Sequence, residues 1–176
     1  MKAIYFLIPV FLINSCKTQT DSVISSESTN MEQVENHGSN CPEGGTCTVV
    51  VHQNKSLQLI DDGSGVPYAE ITDGKNIVVE FTYSKAGPEG TADGNYSETV
   101  QFEIPAGTET LSKQNQSLAD VKMIFGKMGF RMSGYYPVTS GKLILNKTGQ
   151  TISFDLKFKV DQTSHLISHI SETVKI

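Results

Sequence analysis

Tryptophan is absent from this chain, and only 8% of its residues are aromatic. A tryptophan platform for stacking sugars is therefore excluded. Charged residues make up 19% of the chain, with 14 basic against 19 acidic, for a net charge of −5. Nucleic acid and anionic lipid both demand a basic surface, so this balance argues against either as a partner. Cysteine is scarce, at three residues. Catalytic signatures are missing too. Gly63-Ser64-Gly65 lacks the G-x-S-x-G spacing of a nucleophile elbow, and there is neither an H-E-x-x-H pair nor a phosphate-binding glycine loop. No cofactor is expected.

What the chain does have begins at its N-terminus. Lys2 precedes an apolar run from Ala3 to Ile13. A membrane-spanning helix needs about 20 apolar residues, so this run is too short, and Pro9 interrupts it. A basic start, a short apolar centre and the small residue Ser15 read as an export signal over residues 1–15. Leu12-Ile13-Asn14-Ser15-Cys16 resembles the lipobox of bacterial lipoproteins, with Asn14 larger and more polar than the residue usual there. The resemblance implies cleavage before Cys16, acylation of its thiol and attachment to the lipid bilayer. Two or more acyl chains anchor stably where one does not. The alternative is an ordinary secretory signal with an incidental cysteine.

Residues 16–40 are expected to be the lipidated Cys16 and a tether. Ser, Thr, Asn, Gln and Glu dominate residues 17–40, too polar to offset the entropy of ordering. A flexible segment of that length reaches about 25–30 Å on average. A single acid, Asp21, closely follows Cys16, whereas surface-displayed lipoproteins of Bacteroidota resemble one another in a dense acidic cluster there. The expected location is the envelope at the outer membrane, on either its periplasmic or its surface side.

Residues 41–176 are expected to form one β domain. Cys41 and Cys47 remain once Cys16 is assigned, and an even pair in an exported chain reads as a disulfide. The spacing between them fits neither a redox motif nor a zinc knuckle, and His52 nearby is a weak third ligand.

From Thr46 onward the hydrophobic period is two. Strands are predicted over 46–52, around Leu57 and Leu59, over 68–72, 77–84 and 96–104, around Leu143 and Leu145, over 152–160, and over 170–176. Turns are predicted at Gln53-Asn54-Lys55, Asp73-Gly74 and Lys147-Thr148-Gly149, with a long hairpin tip over 85–95. Leu118, Val121, Ile124 and Phe125 are spaced for one helical face. Ser117 with Asp120 resembles a capping box, and Gly126 is placed as the stop, so a helix is predicted over 117–125. About eight strands and one short helix predict an all-β antiparallel sandwich or barrel. Cys-Pro-Glu-Gly-Gly-Thr-Cys at 41–47 and Gly-Tyr-Tyr-Pro-Val-Thr-Ser-Gly at 134–141 resemble uncharacterised all-β lipoproteins of Bacteroidota over roughly residues 40–160, a likeness that implies no activity.

Candidate sites are few. Phe125, Phe130, Arg131, Tyr135 and Tyr136, with Met128 and Met132 among them, form a glycine-bearing stretch that suits a ligand loop for a sugar, peptide or envelope protein. The plainer alternative packs Phe130 and Met132 inward beneath a crossover. His165 and His169 would share a face on a helix, with Glu172 a turn on, and could hold a metal. On a strand they stand about 13 Å apart, too far for one ion, and that reading is preferred. Asp61, Asp62, Asp73 and Asp93 lie in turns without a calcium-loop ladder. The function expected is a membrane-anchored binding or structural module without catalysis. The alternatives are a small-molecule or lipid carrier with a barrel cavity, or an enzyme acting on an envelope polymer. Such an enzyme would need paired carboxylates, and Glu98 and Glu103 fall on opposite faces of one strand.

Overall fold

The computed structural model describes residues 33–35 and 41–176, apart from 62, 64–66 and 92–93. The export signal, Cys16 and most of the tether lie outside the described residues, as do Asp62 and Asp93.

Two antiparallel sheets face one another as a sandwich. In the first, β2 (Thr46–Ile60), β3 (Tyr68–Lys85), β4 (Tyr96–Ile104), β6 (Ile124–Met128) and β7 (Gly134–Pro137) lie side by side. A short β1 (Gln33–Glu35) joins the β2 edge. The second sheet runs β10 (His169–Lys175), β9 (Thr151–Lys159), β8 (Ser140–Thr148), β5 (Thr110–Gln114). Among the described residues no ladder links the sheets, so the barrel alternative falls away.

The alternation read from the sequence explains the packing. Ile152, Phe154, Leu156 and Phe158 of β9 all turn inward and are buried, as is Val160 just beyond the strand. They meet Val49 and Val51 of β2, Ile77, Val79, Phe81 and Tyr83 of β3, and Val100, Phe102 and Ile104 of β4 in one continuous core. Phe102 and Phe154 meet edge to face across the sandwich, 5.4 Å between ring centres. Each such buried side chain contributes about 1.5–3 kcal/mol.

Two predicted turns are not turns. β2 and β3 run through Asn54 and Asp73-Gly74 as one long hairpin, and both signals fall at the same irregularity, where Lys55 pairs with both Asn76 and Asp73. Asn54 takes a left-handed φ of 56° there. A bulge bends a strand and sharpens its twist. Beyond it, the far arm of the hairpin lies on the outer face of the first sheet. Leu57 is fully buried against Val78 and Ile124, with Leu59, Ile71 and Tyr135 around them, in a second small core.

The predicted helix is also corrected. One short helix forms among the described residues, but it is a 3-10 helix over Asn115–Val121 that buries Leu118 and Val121. Lys122, at φ 49°, ends it, and Gln114 with Ser117 forms the capping box. Ile124 and Phe125 belong to β6. Gly126 is needed for closeness instead of as a helix stop: a Cβ there would stand 2.4 Å from Thr99 Oγ1 and 2.7 Å from the Tyr135 ring that crosses it. Strands β1, β5 and β7 lie where no strand is predicted, and β1 falls within the segment read as flexible tether.

Candidate functional site

Register brings several strand ends to one pole of the first sheet. Thr46 pairs with Ser84, Lys85 with Tyr96, Ser97 with Met128, and Lys127 with Gly134. Cys41 and Cys47 stand at disulfide distance at this pole, with Cα atoms 5.8 Å apart. Between them, Gly45 lies so close to the Tyr83 ring that a Cβ would meet it at 2.2 Å, and a Cβ on Gly44 would touch the Lys85 ammonium at 3.5 Å. The short ring thus packs against the side chains behind and beside the pole.

An open groove of about 800 Å³ lies here, lined by Lys85, Asn95, Tyr96, Ser97, Met128 at the end of β6, and residues of the β6–β7 connection including Phe130 and Arg131. Among the described residues two cations and no carboxylate line it, in a chain whose net charge is −5. The connection turns on a bond from the Met132 N–H to the Gly129 carbonyl at 3.2 Å, with Arg131 left-handed at φ 58°. The Arg131 guanidinium rests 4.9 Å from the centre of the Phe130 ring.

The expected ligand loop is therefore divided. Phe130 and Arg131 face the groove, and Phe130 and Met132 are 60% and 54% exposed, so their inward packing is overturned. Phe125 is fully buried, Tyr136 packs against the main core and Tyr135 belongs to the second one. Lys85, Asn95, Tyr96 and Ser97 carried no sequence signal, because their place at the groove depends on strand register.

Behind the groove lies a buried polar cluster. Glu98 accepts the backbone N–H groups of Leu166 and Ile167 at 2.7 and 2.8 Å, and the Tyr96 hydroxyl donates to it. Burial, then the bond to Glu98, pushes the Tyr96 phenol well above its ordinary range. Lys127, itself buried, donates to the Ser164 carbonyl at 2.7 Å, with its ammonium 5.6 Å from the Tyr96 ring centre. Both ions thus hold the β9–β10 loop against the first sheet.

On the sheet's outer face, Glu103 pins the hairpin arm. Its carboxylate accepts from the Leu57 N–H at 2.7 Å, Ser56 Oγ at 2.9 Å, Asn76 Nδ2 at 2.6 Å and Lys122 Nζ at 2.8 Å. Desolvation pushes its pKa up, but these donors outweigh it and bring it to about 2. Beside the arm runs a smaller groove of about 500 Å³, lined mainly by apolar residues such as Leu57, Leu59, Met123 and Val138.

The histidines do not form a pair. His165 stacks on Phe158, Nε2 accepting the Val160 N–H at 3.2 Å while Nδ1 contacts the Ile167 carbonyl at 2.6 Å. His169 faces Asp155 at 2.7 Å. Asp61 closes a turn onto the Gly63 N–H, and Asp73 pairs with Lys55. Among the described residues no three His, Cys, Asp or Glu side chains converge for a metal. No family model matches this chain, and neither the curated proteins nor the solved structures contain a match to it.

Proposed function

We propose that this chain is an envelope lipoprotein, anchored through acylated Cys16, whose β domain works as a binding module without catalysis. The observation that carries the reading is the groove of about 800 Å³ with Lys85, Phe130 and Arg131 on its lining. It joins apolar surface to a few convergent polar groups, the usual make-up of a ligand site. Supporting it, Glu98 and Glu103 are both committed to backbone and side-chain donors of the fold. An enzyme reading would need such carboxylates facing a substrate. A carrier reading would need an enclosed cavity, and the space between the sheets is filled by residues such as Phe102, Phe154 and Leu156.

Membrane fractionation tests the anchor. The wild-type chain is expected in the membrane fraction after a high-salt wash, with labelled palmitate on Cys16. Cys16→Ser is expected in the soluble fraction with its fold intact. If Cys16→Ser stays with the membranes after the wash, the lipoprotein reading fails.

A further inference from the structure

We propose that the Met128–Ser133 segment seats the domain on the bilayer, with Phe130 and Met132 entering the acyl border and Lys85 and Arg131 holding the phosphate of an anionic lipid headgroup. The proposal deepens the groove's role as a binding site and rests on that reading.

Three observations carry it. Met128, Phe130 and Met132 are all more than half exposed, and together they are half of the large exposed hydrophobic residues among those described. Apolar side chains gathered at one spot mark an interaction site, where scattered ones do not. The spot is also cationic. Among the described residues Lys85 and Arg131 share the groove lining without an acid, while the exposed Glu43 and Glu89 are not part of that lining. Apolar tips flanked by Lys and Arg suit the headgroup boundary of an anionic bilayer. The negative charge on the rest of the chain would be repelled by such a surface, which turns this pole towards it.

The third observation is where the chain enters the domain. β1 runs along the β2 edge towards this pole, Gln33 opposite Val50 and Glu35 opposite Thr48, and Cys41 follows at the pole itself. From Val50 to Thr46 a strand covers roughly 13 Å. The covalent chain from Cys16 to Gln33 can span at most roughly 55–60 Å. A lipid on Cys16 therefore leaves enough slack for the pole to rest on the same membrane.

The absence of tryptophan makes the test direct. Phe130→Trp places a single reporter at the tip, and Ile144→Trp places a control on the outer face of the other sheet, where Ile144 is 40% exposed. Both positions are open to solvent, so neither change disturbs the core. Each is made in residues 16–176 with Cys16→Ser, so that leader and acyl chains contribute nothing and every described residue is kept. With vesicles of phosphatidylcholine and phosphatidylglycerol, the emission at 130 is expected to shift to the blue and to be quenched by brominated lipid, and that at 144 to stay unchanged. Arg131→Gln is expected to weaken the vesicle affinity about fivefold, and added salt to weaken it further. Three results would overturn the proposal: no shift at 130 on these vesicles, an equal response from both probes, or the same response to inorganic phosphate without vesicles. The last would leave a soluble-anion site and keep the binding-module reading. Failure of the Cys16 anchor shows separately, as release of the wild-type chain from membranes.

Discussion

Glu98 Oε2 accepts the backbone N–H of Ile167 at 2.8 Å, joining the first sheet to the loop that connects β9 and β10, 69 residues along the chain. The Leu166 N–H binds the other oxygen at 2.7 Å. Glu98 is completely buried, so its carboxylate depends on these N–H groups and on the Tyr96 hydroxyl instead of water. Glu98→Ala would leave the buried Ile167 N–H, the partly buried Leu166 N–H and the Tyr96 hydroxyl without their acceptor, and is expected to cost about 2–4 kcal/mol. Urea unfolding gives the magnitude. Faster hydrogen exchange at the amides of 166 and 167 than elsewhere identifies the loop as the part released, and unchanged protection there would refute this role.

Acid should release the hairpin arm. The folded pKa of Glu103 is held at about 2, below its ordinary 4.5. A lowered carboxylate stabilises the fold above its unfolded pKa and loses that contribution as pH falls through the folded one. The window is therefore about pH 4.5 down to 2, and the shift corresponds to roughly 3 kcal/mol at neutral pH. Glu103→Gln is expected to be less stable at pH 7 and to lose the acid dependence in this window. Parallel pH slopes for the variant and the wild type would count against the assignment.

His52 should act in the opposite sense. Its pKa is lowered, chiefly by burial, and its buried Nε2 has no hydrogen-bond partner among the described residues. The folded state therefore binds this proton less readily than the unfolded chain does. Stability is expected to fall as pH drops below the unfolded value of 6.5 towards the folded pKa. His52→Gln is expected to remove that component, as measured by thermal melts between pH 7 and 5. Identical pH dependence in both proteins would show that another group is responsible.

Gly126→Ala tests the close approach of β4, β6 and β7. The added methyl would stand 2.4 Å from Thr99 Oγ1 and 2.7 Å from the Tyr135 ring. Either the ring shifts off the sheet or the strands part, and overpacking of this kind costs about 1–3 kcal/mol. Thermal melting checks it. A wild-type Tm would mean that the site relaxes freely.

Cys41→Ser is expected to lower stability by up to about 2 kcal/mol, a small amount because the closed ring is short. The ring carries Gly44 beside the Lys85 ammonium, so the loss should also loosen that side chain at the groove. A melt of the variant against the wild type measures the first effect, and amide exchange at 84 and 85 the second. No change in either would mean that the loop holds its place without the bond.

The sequence by itself determined the class of fold. Strict alternation from Ile152 to Val160 places five apolar residues on one side of a strand, and each is buried. Such a pattern holds in any antiparallel partnering, because side-chain direction along a strand is local. What is not local could not be read there. Asn54 and Asp73-Gly74 carry turn chemistry, and only their placement opposite one another makes them a bulge in a continuous hairpin. Leu118, Val121, Ile124 and Phe125 fit a helical face by spacing. Pairing of β6 with β4 and β7 supplied a sheet for the last two, and tertiary pairing outweighs so weak a propensity. Phe130 and Arg131 stood out as residue types, but Lys85, Asn95 and Tyr96 reach the same groove only because register aligns the ends of β3, β4 and β6. Alternation along one strand is written in consecutive residues. Which strand ends meet at a pole depends on pairings between distant segments, and those are decided by the packing of the whole core.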